Sequence, residues 1–154
     1  MTSVIQRVAL AAVLVLVVAQ VIPVDRTNPP VTGDLVGAPA PVADALRRAC
    51  YDCHSRETVW PWYSRVAPVS WLVAHDVAEG RETLDFSTWQ SLAPRKKAKL
   101  LEKSVEEVEE GGMPPWYYAF MHPRARLDQA ERTALVAWAR GEAESVKRAD
   151  SGTP

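Results

Sequence analysis

The sequence predicts an all-α fold. Apolar residues recur at helical spacing in two separated segments, residues 42–53 and 130–138. No segment alternates apolar and polar residues as a half-buried strand does, and prolines mark the loops between the helical segments. With 154 residues and a net charge of −1, the chain is expected to form one small domain behind its N-terminal segments.

The first element, residues 1–24, is a hydrophobic N-terminal segment. Arg7 precedes an unbroken apolar run over residues 8–19, and apolar character continues to residue 24. This pattern is typical of a signal peptide, and its full extent approaches the roughly 17 residues that can cross a bilayer. Residues 17–19 are an acceptable cleavage site, but there is no A-x-A sequence. The pattern therefore favours an uncleaved transmembrane anchor, with a cleaved signal as the alternative.

Residues 25–41 are predicted to be an extended tether. Few of them are large apolar residues that could contribute to a core, and prolines and glycines are frequent. These are Pro29, Pro30, Gly33, Gly37, Pro39 and Pro41.

The next element is a helix that ends in the sequence Cys-Tyr-Asp-Cys-His at residues 50–54, which contains both cysteines of the chain. Two thiols three positions apart on one helical turn can form thioether bonds with the two vinyl groups of a haem. His54 follows directly and can bind the iron. Cys50, Cys53 and His54 are therefore predicted to be the covalent attachment site of a c-type haem.

Three other uses of these cysteines are possible. A thioredoxin-like redox pair requires a strand, helix and strand around the motif, and this pattern does not flank Cys50. A zinc site requires four ligands, but only His54, His75 and His122 are available besides the cysteines, with no second cluster. A structural disulfide between Cys50 and Cys53 would close a very short loop and leave His54 unexplained. All three are weaker than the haem hypothesis.

Residues 58–71 are rich in aromatic residues. We expect these either to line the haem pocket or to form ordinary core. A helix is predicted over residues 70–81, and Ser87 with Gln90 resembles a capping box. Pro94 is expected to open a helix that runs to Glu110. The basic cluster at residues 95–97 is followed by glutamates on this same helix, so the sequence predicts a solvated surface and no nucleic-acid partner.

Gly111 and Gly112 end that helix, and Met113-Pro114-Pro115 follows. A thioether on a loop restrained by two prolines suits an axial ligand opposite His54, so Met113 is predicted to be the sixth ligand of the iron. A methionine that simply fills a gap is the alternative for Met113. Rival ligands are His122, Met121 and His75.

The last helix is predicted to begin at Asp128, whose carboxylate can cap it together with Glu131. Its apolar stripe is expected to pack on the first helix of the domain and close the haem pocket. The stripe consists of Ala130, Ala134, Leu135, Ala137 and Trp138. The haem-binding domain would then span residues 42–148, with a polar, frayed end after Arg140 and a disordered tail at residues 149–154.

This order of elements resembles cytochrome c, and the chain is more closely similar to the bacterial haem-binding domain family. The resemblance covers residues 42–140 and includes the Asn-Pro-Pro sequence of the tether. Five blocks carry it: residues 50–55, 60–63, 67–71, 80–82 and 113–116. It implies an extracytoplasmic, cytochrome c-like protein with covalent haem c, whose distal ligand in the wider cytochrome pattern is the methionine before a proline, here Met113.

Two functional classes follow from a bound haem. Ligation by both His54 and Met113 would leave the iron no free position and favours one-electron transfer with an unidentified redox partner rather than enzymatic turnover. An open distal site would favour a peroxidase-like reaction or gas or redox sensing, with His75, His122 and Tyr117 as candidate distal groups. A haem-free interaction module is the third class. Thioether attachment occurs outside the cytoplasm, so the expected location is the periplasmic face of the inner membrane, anchored, or the periplasm if the signal is cleaved.

Overall fold

The computed structural model describes residues 2–33 and 37–152, so part of the predicted tether (residues 34–36) and the end of the predicted tail (residues 153–154) lie outside the described residues. Within these ranges the chain forms helices and no strands, which confirms the all-α prediction. The helices are α1 (Thr2–Ala19), α2 (Ala40–Ala49), α3 (Tyr51–His54), α4 (Val69–Thr83), α5 (Pro94–Glu109), α6 (Trp116–Met121) and α7 (Gln129–Ser151). Short 3₁₀ turns occur at Trp62–Arg65, Trp89–Ser91 and Pro123–Ala125.

The core lies mainly between α5 and α7, which make the most extensive helix contact of the domain. Leu101 and Val105 of α5 are buried there, as are Leu135 and Ala139 of α7. The spacing of three to four residues places each set on one face of its helix. α2 packs on α7 as well, and its buried residues join the same cluster.

The predicted stripe on α7 is partly wrong. Leu135 is buried, but Ala130, Ala134 and Ala137 are exposed. The buried face is formed instead by Leu135, Val136, Ala139 and Ala143. The physical reason is that α5, more than α2, covers α7, so a different face of the helix turns inward.

Local signals at the ends of α5 and α7 agree with the structure. α5 begins at Pro94, and Asp128 and Glu131 form the predicted reciprocal capping box of α7. α7 then continues to Ser151, so the residues after Arg140 that were predicted to fray are helical. Ser87 does not cap a helix: its hydroxyl accepts a hydrogen bond from the backbone N–H of Arg56, at 2.9 Å.

α1 is an apolar helix whose large aliphatic side chains, from Val4 to Val18, are all more than half exposed. The helix ends at Ala19 instead of continuing to residue 24. Its unbroken apolar run, residues 8–19, would extend about 18 Å at 1.5 Å per residue, against roughly 30 Å for a bilayer core. Across residues 2–33 and 37–152, no helix is long and apolar enough to cross a membrane, so the predicted transmembrane anchor is not supported.

The segment after α1, which includes the first part of the predicted extended tether, is hydrogen-bonded to the domain. The side-chain amide of Gln20 pairs with Ala67, donating to its carbonyl at 3.3 Å and accepting from its N–H at 3.0 Å. The Asn28 amide donates to the Thr58 carbonyl at 2.9 Å. Gly33 N–H donates to the Ser87 carbonyl at 2.9 Å. These bonds hold residues 20–33 against residues 58–87, which follow the predicted attachment motif at residues 50–54.

Candidate functional site

The two cysteines lie where α2 ends and α3 begins. α3 is a single helical turn, and residues 50–54 are called the attachment turn after the role that the sequence predicts for them. The carbonyl of Cys50 accepts hydrogen bonds from the N–H groups of Cys53 and His54, at 3.2 and 2.9 Å, which closes this turn. Both cysteines are free thiols. In the part of the chain that the structure describes, no group of three His, Cys, Asp or Glu side chains is placed to bind a metal ion, so the structure does not support the zinc alternative.

A cavity of about 350 Å³ opens beside this turn, and Cys50, Cys53, His54 and Met113 all line it. Residues of all six helices from α2 to α7 therefore converge with the methionine loop on one site. Much of the wall is apolar, from Leu46, Ala49, Phe86, Leu100, Val108 and Leu135. Polar side chains also line it: Asp76, Glu79, Lys103, Ser104 and Glu107. Its volume falls within the roughly 300–1,000 Å³ of cofactor and ligand pockets.

His54 is held in one tautomer and one orientation. Its Nδ1 lies 2.9 Å from the carbonyl oxygen of Gly80 and 3.0 Å from that of Leu84. Because a carbonyl can only accept, Nδ1 carries the proton and Nε2 retains its lone pair. Burial lowers the pKa of His54, and the two carbonyls oppose this shift only in part. The imidazole is thus neutral at pH 7 and suited to bind a metal through Nε2.

Both cysteine side chains are protonated thiols at neutral pH. Burial raises the pKa of Cys50 and of Cys53 to about 12. For Cys53 the nearby carboxylates of Asp76 and Asp52 act in the same direction. Thiols in such a setting are poor nucleophiles, which is unlike the activated cysteine of a redox-active pair.

Gly80 allows α4 to approach the attachment turn closely. A Cβ built on Gly80 would lie 2.5 Å from the carbonyl oxygen of Cys53, a distance that real side chains do not tolerate. The same residue supplies a carbonyl to His54. In the sequence Gly80 stands out only as part of a family block, and no local pattern indicates this role.

Met113 is the one candidate for the sixth ligand that lines the cavity. Its N–H donates to the Glu107 carbonyl at 3.1 Å, which fixes the loop to the end of α5. His75 is exposed and Met121 is 48% exposed, and neither lines the cavity. His122 also lies outside it, 3.2 Å from the Tyr63 hydroxyl through Nε2 and 3.1 Å from the Tyr118 carbonyl through Nδ1.

The aromatic segment fits neither of its predicted roles. Trp62 is 74% exposed, and Trp60, Tyr63 and Trp71 belong neither to the cavity wall nor to the buried core. The aromatic residues that do line the cavity near Met113 are Tyr117 and Tyr118 of α6.

Two carboxylates receive hydrogen bonds from these tyrosines. The Tyr117 hydroxyl donates to Asp76 at 3.1 Å, and the Tyr118 hydroxyl donates to Asp52 at 2.8 Å. The sequence predicted Tyr117 only as a distal group for an open site, and it did not indicate a role for Tyr118, Asp52 or Asp76. Asp52 lies between the two cysteines, and this position was the one available signal.

Arg81 connects the N-terminal segment to the attachment motif. Its guanidinium donates to the Ser55 carbonyl at 2.8 Å, the Thr27 carbonyl at 2.9 Å and the Asn28 side chain at 2.8 Å. A further bond of 2.8 Å reaches the Thr58 hydroxyl. One side chain thus ties the residues after His54 to the segment after α1.

A family model described as "Haem-binding domain" matches residues 14–141. No curated protein and no solved structure matches the chain.

Proposed function

The chain belongs to the haem-binding domain family, and we propose that it carries a covalently bound c-type haem and exchanges single electrons with a redox partner. The observation that carries the proposal is the convergence of Cys50, Cys53, His54 and Met113 on one largely apolar cavity. When bound, the haem would supply a one-electron iron couple, whose potential is raised by ligation through methionine sulfur.

The residues at the cavity fit such a haem. The two thiols are unpaired and face the cavity from one helical turn, which suits thioether bonds to the two vinyl groups. His54 keeps Nε2 for the iron because Nδ1 donates to the Gly80 and Leu84 carbonyls. Apolar walls from α2, α5 and α7 would exclude water from the faces of the ring.

Met113 is proposed as the ligand opposite His54. It lines the same cavity, and the rival residues His75, Met121 and His122 do not. An open distal site is supported less well. Three distal groups were predicted for it, and only Tyr117 lines the cavity, while His75 and His122 do not. The Tyr117 hydroxyl is already committed to Asp76, at 3.1 Å.

We further propose that the domain works outside the cytoplasm, in the periplasm or at its membrane. Thioether attachment takes place in that compartment, and the apolar run of α1 that follows Arg7, residues 8–19, has the character of an export signal. The redox partner would meet the protein there. Nothing in the composition suggests nucleic acid as a partner.

The test is a Met113→Ala variant, matured with its haem, beside a Met121→Ala control whose methionine lies outside the cavity. Met113→Ala should retain covalent haem, lose the far-red ferric band typical of iron–methionine ligation, and bind carbon monoxide when reduced. Met121→Ala should behave as the wild type. A wild-type spectrum without the band, or a Met113→Ala spectrum that keeps it, would refute His–Met ligation.

A further inference from the structure

The methionine loop is joined to the rest of the domain by two consecutive tyrosines. Met113 lies two residues after Gly111, whose positive φ of 77° turns the chain away from α5. On this side the Met113 N–H is bonded to the Glu107 carbonyl at 3.1 Å. On its other side the loop enters α6, where Tyr117 and Tyr118 both line the cavity. The position of Met113 therefore depends on α5 and on how α6 is attached.

Tyr118 attaches α6 to the attachment motif itself. Its hydroxyl donates to Oδ2 of Asp52 at 2.8 Å, and Asp52 stands between Cys50 and Cys53. The other carboxylate oxygen of Asp52 accepts from the Val59 N–H at 2.9 Å. The Thr58 hydroxyl donates to the Asp52 carbonyl at 2.7 Å. Asp52 is thus fixed at three points, and a bond to it restrains Tyr118 relative to the cysteines.

Tyr117 makes a second attachment, to α4. Its hydroxyl donates to Oδ2 of Asp76 at 3.1 Å. α4 also carries Gly80, whose carbonyl accepts from His54. The methionine side of the cavity is therefore tied to both elements that position the histidine side, namely α3 and α4.

The hydroxyls of Tyr117 and Tyr118 are protonated, as donors to carboxylates must be. Burial, followed by the charge of Asp52, raises the pKa of Tyr118, and burial, followed by Asp76, raises the pKa of Tyr117. Both phenols stay protonated and act as donors to carboxylates. Hydrogen bonds to a charged partner are roughly twice as strong as neutral ones.

We propose that Tyr118 with Asp52, and Tyr117 with Asp76, are positioning residues that hold the methionine loop closed over the cavity and keep Met113 at the iron. The inference rests on the proposed function, since it assumes that Met113 is the sixth ligand. It also explains what would keep Met113 on the iron: two hydroxyl–carboxylate hydrogen bonds, made by residues that do not bind the iron, hold its thioether in place. Loss of either bond should let external ligands compete with Met113.

The experiment measures imidazole binding to the ferric, haem-loaded full chain. Tyr118→Phe and Tyr117→Phe each remove one hydroxyl and keep the ring, and Asp52→Asn weakens the acceptor. Thr133→Ala is the control, because it removes a hydroxyl that bonds only within α7, to the Gln129 carbonyl, and that lies outside the cavity. Tyr118→Phe should raise imidazole affinity about tenfold, as expected for loss of a bond to a charged group. Tyr117→Phe should raise it in the same direction, and Thr133→Ala should leave it unchanged.

A double variant distinguishes a specific bond from general loosening. If Tyr118 acts through Asp52, the pair Tyr118→Phe with Asp52→Asn should bind imidazole no more tightly than Tyr118→Phe alone. Affinities equal to that of the wild type in all the single variants, while the wild type shows iron–methionine ligation, would overturn the positioning proposal alone. A wild type without that ligation would overturn both proposals. If Tyr118→Phe does not fold, Tyr117→Phe and Asp52→Asn decide the question by the same readout.

Discussion

The backbone of Cys53 and the Cα of Gly80 are in direct contact: a Cβ added at residue 80 would lie 2.5 Å from the Cys53 carbonyl oxygen and 2.9 Å from its carbonyl carbon. α4 can reach the attachment turn only because this position has no side chain. The contact also places the Gly80 carbonyl 2.9 Å from Nδ1 of His54. One glycine therefore sets both the packing of the turn and the orientation of the proposed iron ligand.

The variant Gly80→Ala is expected to destabilise the domain, because the new methyl group must push two backbone segments apart. Overpacking of this kind costs about 1–3 kcal/mol. The measurement is the free energy of unfolding by urea, together with the yield of haem-loaded protein, which should fall as His54 loses its acceptor.

Gly141→Ala is the matched control, since nothing lies within 4 Å of a Cβ at that helical position. It should stabilise by about 0.5–1 kcal/mol. Equal stability of the two variants would contradict the predicted clash.

Arg81→Lys tests the connection between the N-terminal segment and the attachment motif. A lysine cannot reproduce the guanidinium bonds to Ser55, Thr27 and Asn28, so the loss should be about 1–3 kcal/mol in the free energy of unfolding. Arg140→Lys is the control, because the ion pair of Arg140 with Glu109 is largely exposed and should matter by less than about 1 kcal/mol. Similar losses in both variants would show that Arg81 has no special structural role.

The stability of the haem-free domain should depend on the protonation of His54. Burial lowers the pKa of His54 in the folded state below its ordinary value of 6.5, so below pH 6.5 the unfolded chain binds more protons than the folded one. The free energy of unfolding should therefore fall as pH drops from 6.5 towards the folded-state pKa, and this contribution should be constant above 6.5. Urea unfolding of the haem-free chain as a function of pH should show the decline. The variant His54→Gln should lack the decline in the free energy of unfolding that His54 causes. The variant His75→Gln, changed at an exposed position, should still show this decline.

The thiols of the haem-free domain should react slowly. Since burial raises the pKa of both Cys50 and Cys53 to about 12, very little thiolate is present at pH 8. Alkylation by iodoacetamide should be at least about 100-fold slower in the folded chain than in urea. Each single variant, Cys50→Ala and Cys53→Ala, reports the remaining thiol. A rate close to that of the unfolded chain would contradict the raised pKa of the two thiols.

Local sequence signals predicted the helices well. The proline at the start of α5 and the Asp128–Glu131 box of α7 act within a few residues, and both appear in the structure. The partner of α7 was predicted less well, because periodicity shows that a helix has an apolar face but not which helix covers it. In the structure α5 covers most of that face.

The sequence could indicate those residues of the candidate site that stand close together in the chain. It could not indicate those that meet only when distant segments pack together. Cys50, Cys53 and His54 stand together in the sequence, and the structure brings Met113 to the same cavity. Asp52 and Tyr118 are separated by 66 positions, so nothing local pairs them. The close approach of Gly80 to Cys53 is likewise a property of two packed helices. The aromatic residues from Trp60 to Trp71 were expected in the pocket wall or in the core, and their composition gave no sign that they would lie outside both.

The measurement that most directly tests the central claim is the mass of the intact chain after expression with a c-type haem maturation system and extraction with acidified acetone. Haem bound through both cysteines should remain with the protein and add the mass of one haem. Cys50→Ala or Cys53→Ala should leave a single thioether, and the variant lacking both thiols should lose the haem to the solvent. Complete extraction of haem from the wild-type chain, with both thiols still free to alkylation, would contradict covalent attachment.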